Sequence, residues 1–220
     1  MIRAVIFDMD GLLLDTEPYW QQVERKVFSD LGIQITEKMQ VPTMGLRSDE
    51  QIRYWYDFRP WKNASFDEIE RRYTDAMLAY FRTEAKLMPG AVKALDFFSE
   101  KGIPMALASS SNMDLINTFL DRFGFHHYFK EVYSAEFEEF GKPHPAVYLE
   151  TARRMNTEPH DCLALEDSFH GLIAAKAARM NTIVVPAEMD DRFLASDLVL
   201  RSLEDLNESI FQSINLKNTL

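Results

Sequence analysis

Short apolar runs alternate with longer stretches of helical periodicity along most of the chain. Apolar runs of this length are typical of strands that are buried on both faces of a parallel sheet. We predict strands at residues 4–7, 103–108, 131–134, 163–165 and 182–185, with an edge strand at 199–200. Helical patterns follow three of these runs, at residues 113–123, 146–155 and 169–180. This alternation predicts an α/β fold with a parallel sheet, flanking helices and right-handed crossovers.

Residues 17–86 depart from the alternation. Apolar residues recur there at helical spacing in two stretches, Trp20, Val23, Val27 and Leu31 in the first and Ile69, Tyr73, Ala76 and Tyr80 in the second. No strand pattern separates the two stretches, so we predict a helical insertion. Residues 1–16 and 87–220 would then form the sheet domain, and residues 17–86 a helical cap domain. The last dozen residues are polar, and we expect them to be frayed.

The composition is that of an ordinary globular protein with an acidic balance. The chain has 220 residues, and its 24 Lys and Arg against 35 Asp and Glu give a net charge of −11. This charge argues against nucleic acid as the main partner. A small phosphorylated ligand remains compatible with it, because a metal ion and one lysine can reverse the sign of the charge locally.

The expected location follows from two further features. The single cysteine, Cys162, cannot form an intramolecular disulfide, which fits a reducing compartment. No apolar stretch reaches the length of a transmembrane helix, and residues 4–7 are too few for a signal peptide. We therefore expect a cytoplasmic protein without a membrane partner.

Two carboxylates, Asp8 and Asp10, follow directly on the first predicted strand. Open parallel sheets bind ligands in the crevice outside the carboxyl ends of their strands. A pair of carboxylates at that edge can ligate a hard cation, attack a phosphorus centre or transfer a proton. The residues alone leave these three roles open.

Three later segments bring further polar groups to predicted strand ends. Ser109 and Ser110 precede a helix, where hydroxyl and N–H groups bind an anion or simply cap the helix. Lys142 lies in a loop stiffened by Gly and Pro, and its ammonium could neutralise a phosphate and a carboxylate together. Glu166 and Asp167 follow the strand at 163–165, where they could complete a magnesium site or cap the next helix.

This ordered set resembles the four motifs of the haloacid dehalogenase (HAD) superfamily: Asp-x-Asp-Gly, a serine at a strand end, Gly-Lys-Pro and Glu-Asp-Ser. The helical insertion resembles the small cap of that superfamily. The resemblance covers nearly the whole chain and is closest to the branch that contains β-phosphoglucomutase and the sugar-phosphate phosphatases. It implies a Rossmann-like parallel sheet core with an inserted helical-bundle cap.

The resemblance also implies a different role for each of the acids. Asp8 would attack phosphorus in line and form an aspartyl-phosphate. Asp10 would protonate the leaving alkoxide and then deprotonate the hydrolytic water. Mg²⁺ would be held by the Asp8 carboxylate, the Asp10 carbonyl and Asp167, with Glu166 as a further candidate ligand.

Phosphate and substrate contacts are implied in the same way. Ser109 and the backbone amide of Ser110 would hold phosphate oxygens, and Lys142 would bridge the phosphate and Asp8. Arg47 lies where relatives have a cap loop that reaches toward the active site. It is a candidate substrate contact, although a solvated arginine at the start of a helix is an equally good interpretation.

The expected function is therefore that of a Mg²⁺-dependent phosphatase for small sugar or sugar-alcohol phosphates, such as 2-deoxyglucose 6-phosphate or hexitol phosphates, acting as a monomer. A β-phosphoglucomutase-type phosphomutase shares every core motif, but mutases of this branch carry a histidine where this chain has Trp20. A dehalogenase is disfavoured because those enzymes lack an aspartate at the position of Asp10 and need no magnesium. A non-catalytic binding module is the third alternative.

Overall fold

Six parallel strands form one sheet in the computed structural model, which describes residues 1–217, with side chains through residue 215. In chain order the strands are β1 (Ala4–Phe7), β2 (Met105–Ser109), β3 (Phe129–Ser134), β4 (Cys162–Glu166), β5 (Asn181–Val184) and β6 (Leu198–Val199). The order across the sheet is β3-β2-β1-β4-β5-β6. The predicted parallel α/β sheet is confirmed, and each strand lies within about two residues of its predicted bounds.

Helices cover both faces of the sheet and fill the segment between β1 and β2. They are α1 (Glu17–Asp30), α2 (Glu37–Gln40), α3 (Ser48–Phe58), α4 (Phe66–Thr83), α5 (Ala91–Glu100), α6 (Met113–Phe123), α7 (Ala146–Arg154), α8 (Phe169–Ala177) and α9 (Glu208–Lys217). Within the described range, none of these helices combines the length and apolar character needed to cross a bilayer.

The strand order places β1 at the point where the sheet changes direction. The chain proceeds from β1 outward to β2 and β3 on one side, and later returns to β4, β5 and β6 on the other. Such a reversal opens a crevice at the carboxyl end of the central strand. Phe7 is in register with both Leu107 and Leu165, so the residues that follow these three leave the sheet at one level.

The two faces of the sheet carry side chains of different size. One face presents large residues such as Phe7 and Leu165 to a core that includes α5 and α6. The other presents alanines, among them Ala106 and Ala164, to α7 and α8. Because alanines add little thickness, α7 and α8 can approach the sheet closely, and this approach brings their side chains to the end of β4.

The insertion between β1 and α5 is helical, as predicted. Within the described chain, α1 and α3 both pack on α4, and the interior of this segment is aromatic. Trp55 and Trp61 are buried there against Phe28. The two linkers of the insertion are paired with each other: the Asp15 N–H donates to the Lys86 carbonyl at 2.8 Å, and the Met88 N–H donates to the Leu13 carbonyl at 2.9 Å.

The C-terminal segment differs from the expectation of a frayed end. Helix α9 forms there, because Phe211 packs edge-on against Phe97 and Phe98 and Ile214 is buried. Ser209, Gln212 and Ser213, three of the polar residues that suggested fraying, are exposed on the outer face of this helix. Residues 218–220 lie outside the described part of the chain. Helix α5, which supplies both phenylalanines at positions 97 and 98, was not predicted from the sequence.

Candidate active site

An ion-paired cluster lies at the carboxyl end of the central strand. Asp8 follows β1 directly and is buried, as are Lys142 and Glu166. The Lys142 Nζ lies 2.6 Å from Asp8 Oδ1 and 2.5 Å from Glu166 Oε1. Lys142 belongs to the loop after β3, and β2 lies between β3 and β1 in the sheet. The Lys142 side chain therefore passes the end of β2 to reach Asp8, and its Nζ is 3.4 Å from the Ala108 carbonyl oxygen. The structure thus brings together three of the residues singled out in the sequence.

Glu166 uses both carboxylate oxygens within this cluster. Oε1 accepts from Lys142 and from the Tyr148 hydroxyl, at 2.5 Å each. Oε2 accepts from the backbone N–H groups of Asp167 and Ser168 and from the Ser168 hydroxyl, at 3.1 to 3.3 Å. Tyr148 and Ser168 were not predicted as site residues. The only signal for Tyr148 is its place on the buried face of α7, which does not distinguish a site residue from a core residue.

The electrostatics of the cluster follow from its burial. Burial raises the pKa of Asp8 to about 8, although the charge of Lys142 lowers it. The pKa of Lys142 is raised, because the attraction of Asp8 and Glu166 outweighs the effect of burial, which lowers it. Burial, followed by repulsion from Asp8, raises the pKa of Asp167 well above its ordinary value. One lysine therefore faces three carboxylates, and the cluster favours additional positive charge.

The donor set suits a hard divalent cation. Asp8, Glu166 and Asp167 each offer an oxygen, and these oxygens lie within 4.8 Å of one another. Carboxylate oxygens are the ligands that Mg²⁺ prefers in proteins. Glu166 is already saturated by the donors described above, whereas no described residue donates a hydrogen bond to the Asp167 carboxylate. The residues present therefore fit a metal, with Asp8 and Asp167 as the carboxylates that have oxygens open to it.

Gly11 makes room for Asp167 beside the first loop. Its φ is +74°, a left-handed conformation, and a Cβ at this position would lie 2.0 Å from Asp167 Oδ2. Only glycine permits both the turn and this close approach. The glycine of the Asp-x-Asp-Gly motif thus allows the carboxyl ends of β1 and β4 to present their acids to the same point.

Asp10 is held by four neutral donors. Its Oδ1 accepts from the Thr16 hydroxyl at 2.8 Å and from the Trp20 indole N–H at 3.0 Å. Its Oδ2 accepts from the Ser111 hydroxyl at 2.7 Å and lies 3.4 Å from the Ser109 hydroxyl. Trp20 belongs to α1, so this contact joins the helical insertion to the sheet domain. Thr16 and Ser111 were not predicted as site residues, because a hydroxyl beside a linker or a helix start has many ordinary uses.

The end of β2 places three consecutive serines beside the acids. Ser109 is buried, and its hydroxyl accepts from the Ser111 N–H at 3.0 Å. The Ser110 hydroxyl donates to the Gly45 carbonyl, at 2.9 Å, in the helical insertion. Asn112 caps α6, and this helix points its N-terminus at the same crevice. The predicted residues Ser109 and Ser110 therefore do line the crevice that contains Asp8 and Asp10.

Arg47 is placed differently from the other predicted residues. Its guanidinium donates at 2.7 Å to the carbonyls of Ala135 and Glu138 and is paired with Asp49. It is absent from the residues that line the crevice. Arg47 thus joins the start of α3 to the loop after β3. Glu50, also in α3, makes a second contact with this loop: its Oε1 accepts from the Gly141 N–H at 2.8 Å.

We expect Arg47→Ala to lower kcat/KM about tenfold or more, because several hydrogen bonds of a charged group between the insertion and the Lys142 loop are lost. A contact that only joins the insertion to the sheet predicts a similar loss for every substrate. A direct substrate contact predicts a loss that varies with the leaving group. Steady-state kinetics on three substrates with different leaving groups separate these two cases, with the exposed Arg59→Ala as the control.

Gly171→Ala should destabilise the protein by about 3 kcal/mol, because a core position without free space is overpacked. A Cβ there would lie 1.9 Å from Glu166 Oε1. The displaced carboxylate would also release Lys142, so activity should fall together with stability. Urea unfolding measures the effect, with Gly102→Ala as comparison. Gly102 has a φ of +64°, and no atom lies within 4 Å of the position that a Cβ would take. The loss of stability in Gly102→Ala therefore reflects only the left-handed backbone conformation. An equal loss in both variants would contradict the packing argument.

The crevice extends from the sheet edge into the helical insertion. It is lined at its base by Asp8, Asp10 and Lys142, and at its far side by residues of α1, α2 and α3. The sequence model of the haloacid dehalogenase-like hydrolases matches residues 5–185, which include the whole of the crevice base. The chain belongs to the haloacid dehalogenase-like hydrolase family.

Relatives within this HAD family are phosphatases and mutases. The chain is 40% identical to hexitol phosphatase B of Escherichia coli over 209 residues, which are 93% of this chain and 94% of the relative. It is 32% identical over 182 residues to a phosphorylated carbohydrates phosphatase of Thermotoga maritima, covering 83% and 84% of the two chains. The structure of β-phosphoglucomutase from Clostridium difficile superposes with a TM-score of 0.86 at 26% identity, covering 99% and 98%. This HAD protein is a hydrolase of the phosphatase type.

Proposed function

We propose that the protein hydrolyses phosphomonoesters of small sugars or sugar alcohols in a Mg²⁺-dependent reaction through an aspartyl-phosphate on Asp8. The observation that carries this proposal is the buried ion pair of Asp8 and Lys142 at the base of a crevice that also contains Asp10. The support from relatives is that their names specify phosphatases of hexitols and of phosphorylated carbohydrates.

Asp8 would act as the nucleophile because its carboxylate lines the crevice and is held in place by Lys142. Lys142 binds Oδ1 at 2.6 Å, and Glu166 in turn fixes Lys142. The ammonium would neutralise part of the repulsion between Asp8 and an anionic phosphate. Two unit charges about 4 Å apart repel by about 4 kcal/mol at an effective dielectric constant of 20, so counter-charge at this point is needed.

Asp10 would transfer the proton, first to the departing alkoxide and then from the attacking water. It lies two residues beyond Asp8 on the same loop, and its four neutral donors fix its orientation without neutralising its charge. A carboxyl group that serves as acid and then as base needs such a fixed position relative to the nucleophile. Trp20 would bring this orientation under the control of the helical insertion, because its indole N–H is one of those donors.

Asp8, Asp167 and the Asp10 carbonyl would hold Mg²⁺, and Glu166 would act through Lys142 rather than as a direct ligand. When bound, the cation would shield the charges of nucleophile and phosphate and stabilise the transferring oxygens. Ser109, the Ser110 amide and the N-terminus of α6 would bind the remaining phosphate oxygens, since oriented N–H groups at a helix start favour an anion.

The helical insertion, residues 17–86, would serve as a cap that excludes water before transfer. We further propose that the protein acts as a monomer in the cytoplasm, without nucleic-acid or membrane partners. Residues 1–16 and 87–220 would form the catalytic core.

A phosphate-release screen tests the function. Hexose, deoxyhexose, hexitol and short polyol phosphates are supplied with Mg²⁺ or with EDTA, and we expect release that EDTA abolishes and Mg²⁺ restores. Retained activity in EDTA would overturn the metal dependence. If the protein instead converts a sugar 1-phosphate to its 6-phosphate with little phosphate release, in a reaction that needs glucose 1,6-bisphosphate, it is a mutase.

A further inference from the structure

The outer part of the crevice contains acidic side chains and no available cation. Among the described residues that line it, Lys142 is the single basic one, and it is engaged by Asp8 and Glu166. The Arg47 guanidinium donates to backbone carbonyls after β3, and the Arg25 guanidinium donates to the Gln40 amide oxygen. The acids Glu17 and Glu24, by contrast, both line the crevice on the cap side.

Glu17 is the first residue of α1 and lies between the reacting acids and the cap. Its Oε1 accepts from the Gln21 amide at 3.2 Å. Among the residues that the structure describes, none donates to its Oε2 and none of the basic ones pairs with either oxygen. Burial raises the pKa of Glu17 to about 7, so above that pH its carboxylate offers a ligand in the crevice an acceptor position together with a negative charge that no described basic side chain pairs with.

Glu24 lies deeper, about two turns further along α1. It is only 4% exposed, yet all its hydrogen-bond partners are neutral: the Trp55 indole N–H at 2.6 Å, the Thr43 hydroxyl at 3.2 Å and the Gln40 amide. Burial raises the pKa of Glu24, while the hydrogen bonds from Trp55, Gln40 and Thr43 and the charge of Arg25 lower it. Where Glu24 is ionised, its charge adds to that of Glu17 on the cap side of the crevice.

We propose that Glu17 and Glu24 determine substrate specificity by charge: they accept uncharged, hydroxyl-bearing leaving groups and exclude those with a carboxylate or a second phosphate. This inference rests on the proposed phosphatase function and narrows it to monophosphates of neutral sugars and polyols. Hydroxyl groups can donate to the acceptor positions of Glu17, and Gln51 and Ser48 provide neutral polar groups nearby. A second anion would meet two carboxylates and no cation.

A matched pair of substrates tests the proposal. Glucitol 6-phosphate and gluconate 6-phosphate share a six-carbon chain and differ at carbon 1, where the second carries a carboxylate. Like charges about 6 Å apart at an effective dielectric constant of 20 disfavour binding by about 100-fold. We therefore expect kcat/KM, measured with Mg²⁺ at about pH 8.5, where Glu17 is ionised, to favour glucitol 6-phosphate by about 100-fold.

Variants assign the preference to these residues. Glu17→Gln keeps an oxygen for Gln21 and removes the charge, so the preference should fall about tenfold. Gln21→Lys should lower it further by pairing a cation with Glu17. Glu37→Gln is the matched control, because Glu37 is an exposed acid of the cap outside the crevice, and it should leave the preference unchanged. Glu24→Gln disturbs three buried hydrogen bonds and serves only as a supporting variant.

The failure of this inference is distinguishable from that of the phosphatase function. Equal kcat/KM for the two substrates, or a preference that Glu17→Gln leaves unchanged, would overturn the charge exclusion and leave the phosphatase function intact. Absence of phosphate release from every compound would overturn the function. In that case, calorimetric binding of the two compounds to Asp8→Asn protein still decides the inference: tighter binding of glucitol 6-phosphate supports it, and equal or weaker binding overturns it.

Discussion

Asp8→Asn is expected to reduce phosphate release at least about 1,000-fold, because a carboxamide cannot form the aspartyl-phosphate. The substitution changes little in the packing, since asparagine has nearly the same shape and its carbonyl oxygen can still accept from Lys142. Folding should therefore be unaffected. Burial raises the pKa of Asp8 to about 8, so its charged form is already disfavoured in the fold, and Glu166 still pairs with Lys142 in the variant; we therefore expect the free energy of unfolding to change little.

The measurement is phosphate release from glucitol 6-phosphate, with thermal unfolding of both proteins in parallel. Asp15→Asn serves as the control, because Asp15 is an exposed acid of the linker whose contacts in this region are made by its backbone. Activity of the Asp8→Asn protein above about one per cent of wild type would contradict the nucleophile role. A large loss of stability would show instead that Asp8 is needed for the fold.

Lys142→Met is expected to lose both activity and stability. Removal of one partner of a buried ion pair leaves uncompensated charge and costs about 3–5 kcal/mol. Here two carboxylates, Asp8 and Glu166, would be left without their shared cation. Urea unfolding measures the loss of stability, and the same phosphate assay measures the loss of activity.

The double variant Lys142→Met, Glu166→Gln separates the two effects. Glutamine removes one of the two orphaned charges and can still accept from Tyr148, so part of the stability should return while activity stays lost. Lys130→Met is the matched control, because Lys130 is an exposed lysine of β3, and it should change the free energy of unfolding by less than about 0.5 kcal/mol. Recovery of activity in the double variant would contradict the role of Lys142 at Asp8.

The proximity of four acids could be predicted because local structure fixes it. Asp8, Asp10 and Asp167 follow buried strands and Glu166 ends one, and parallel strands in register bring their carboxyl ends together. The loop from β3 to α7 is longer, at residues 135–145, and Lys142 was placed by the Gly-Lys-Pro motif rather than by the sheet. For the acids, position along the chain and the rule of parallel sheets were enough to predict proximity.

The contacts that the sequence did not predict depend on how separate elements pack. Tyr148 reaches Glu166 because alanines let α7 approach the sheet, and no pattern around position 148 signals this contact. Arg47 bonds carbonyls 88 and 91 residues away along the chain, a contact that a loop sequence cannot specify. Trp20 is a further example. The sequence analysis singled it out because mutases of this branch have a histidine there, but no pattern predicted that its indole N–H binds Asp10.

The paired linkers restrict how the helical insertion can move. Two independent strands of chain would permit twisting and sliding, but Asp15 is bonded to Lys86 and Leu13 to Met88 across the pair. Such a two-stranded ribbon bends about one axis and resists the other motions. If the insertion opens and closes as the proposed cap, this ribbon would guide it along one arc and return the Trp20 indole to Asp10 in the same orientation. The linkers would thereby reset the proposed proton-transferring group at each catalytic cycle.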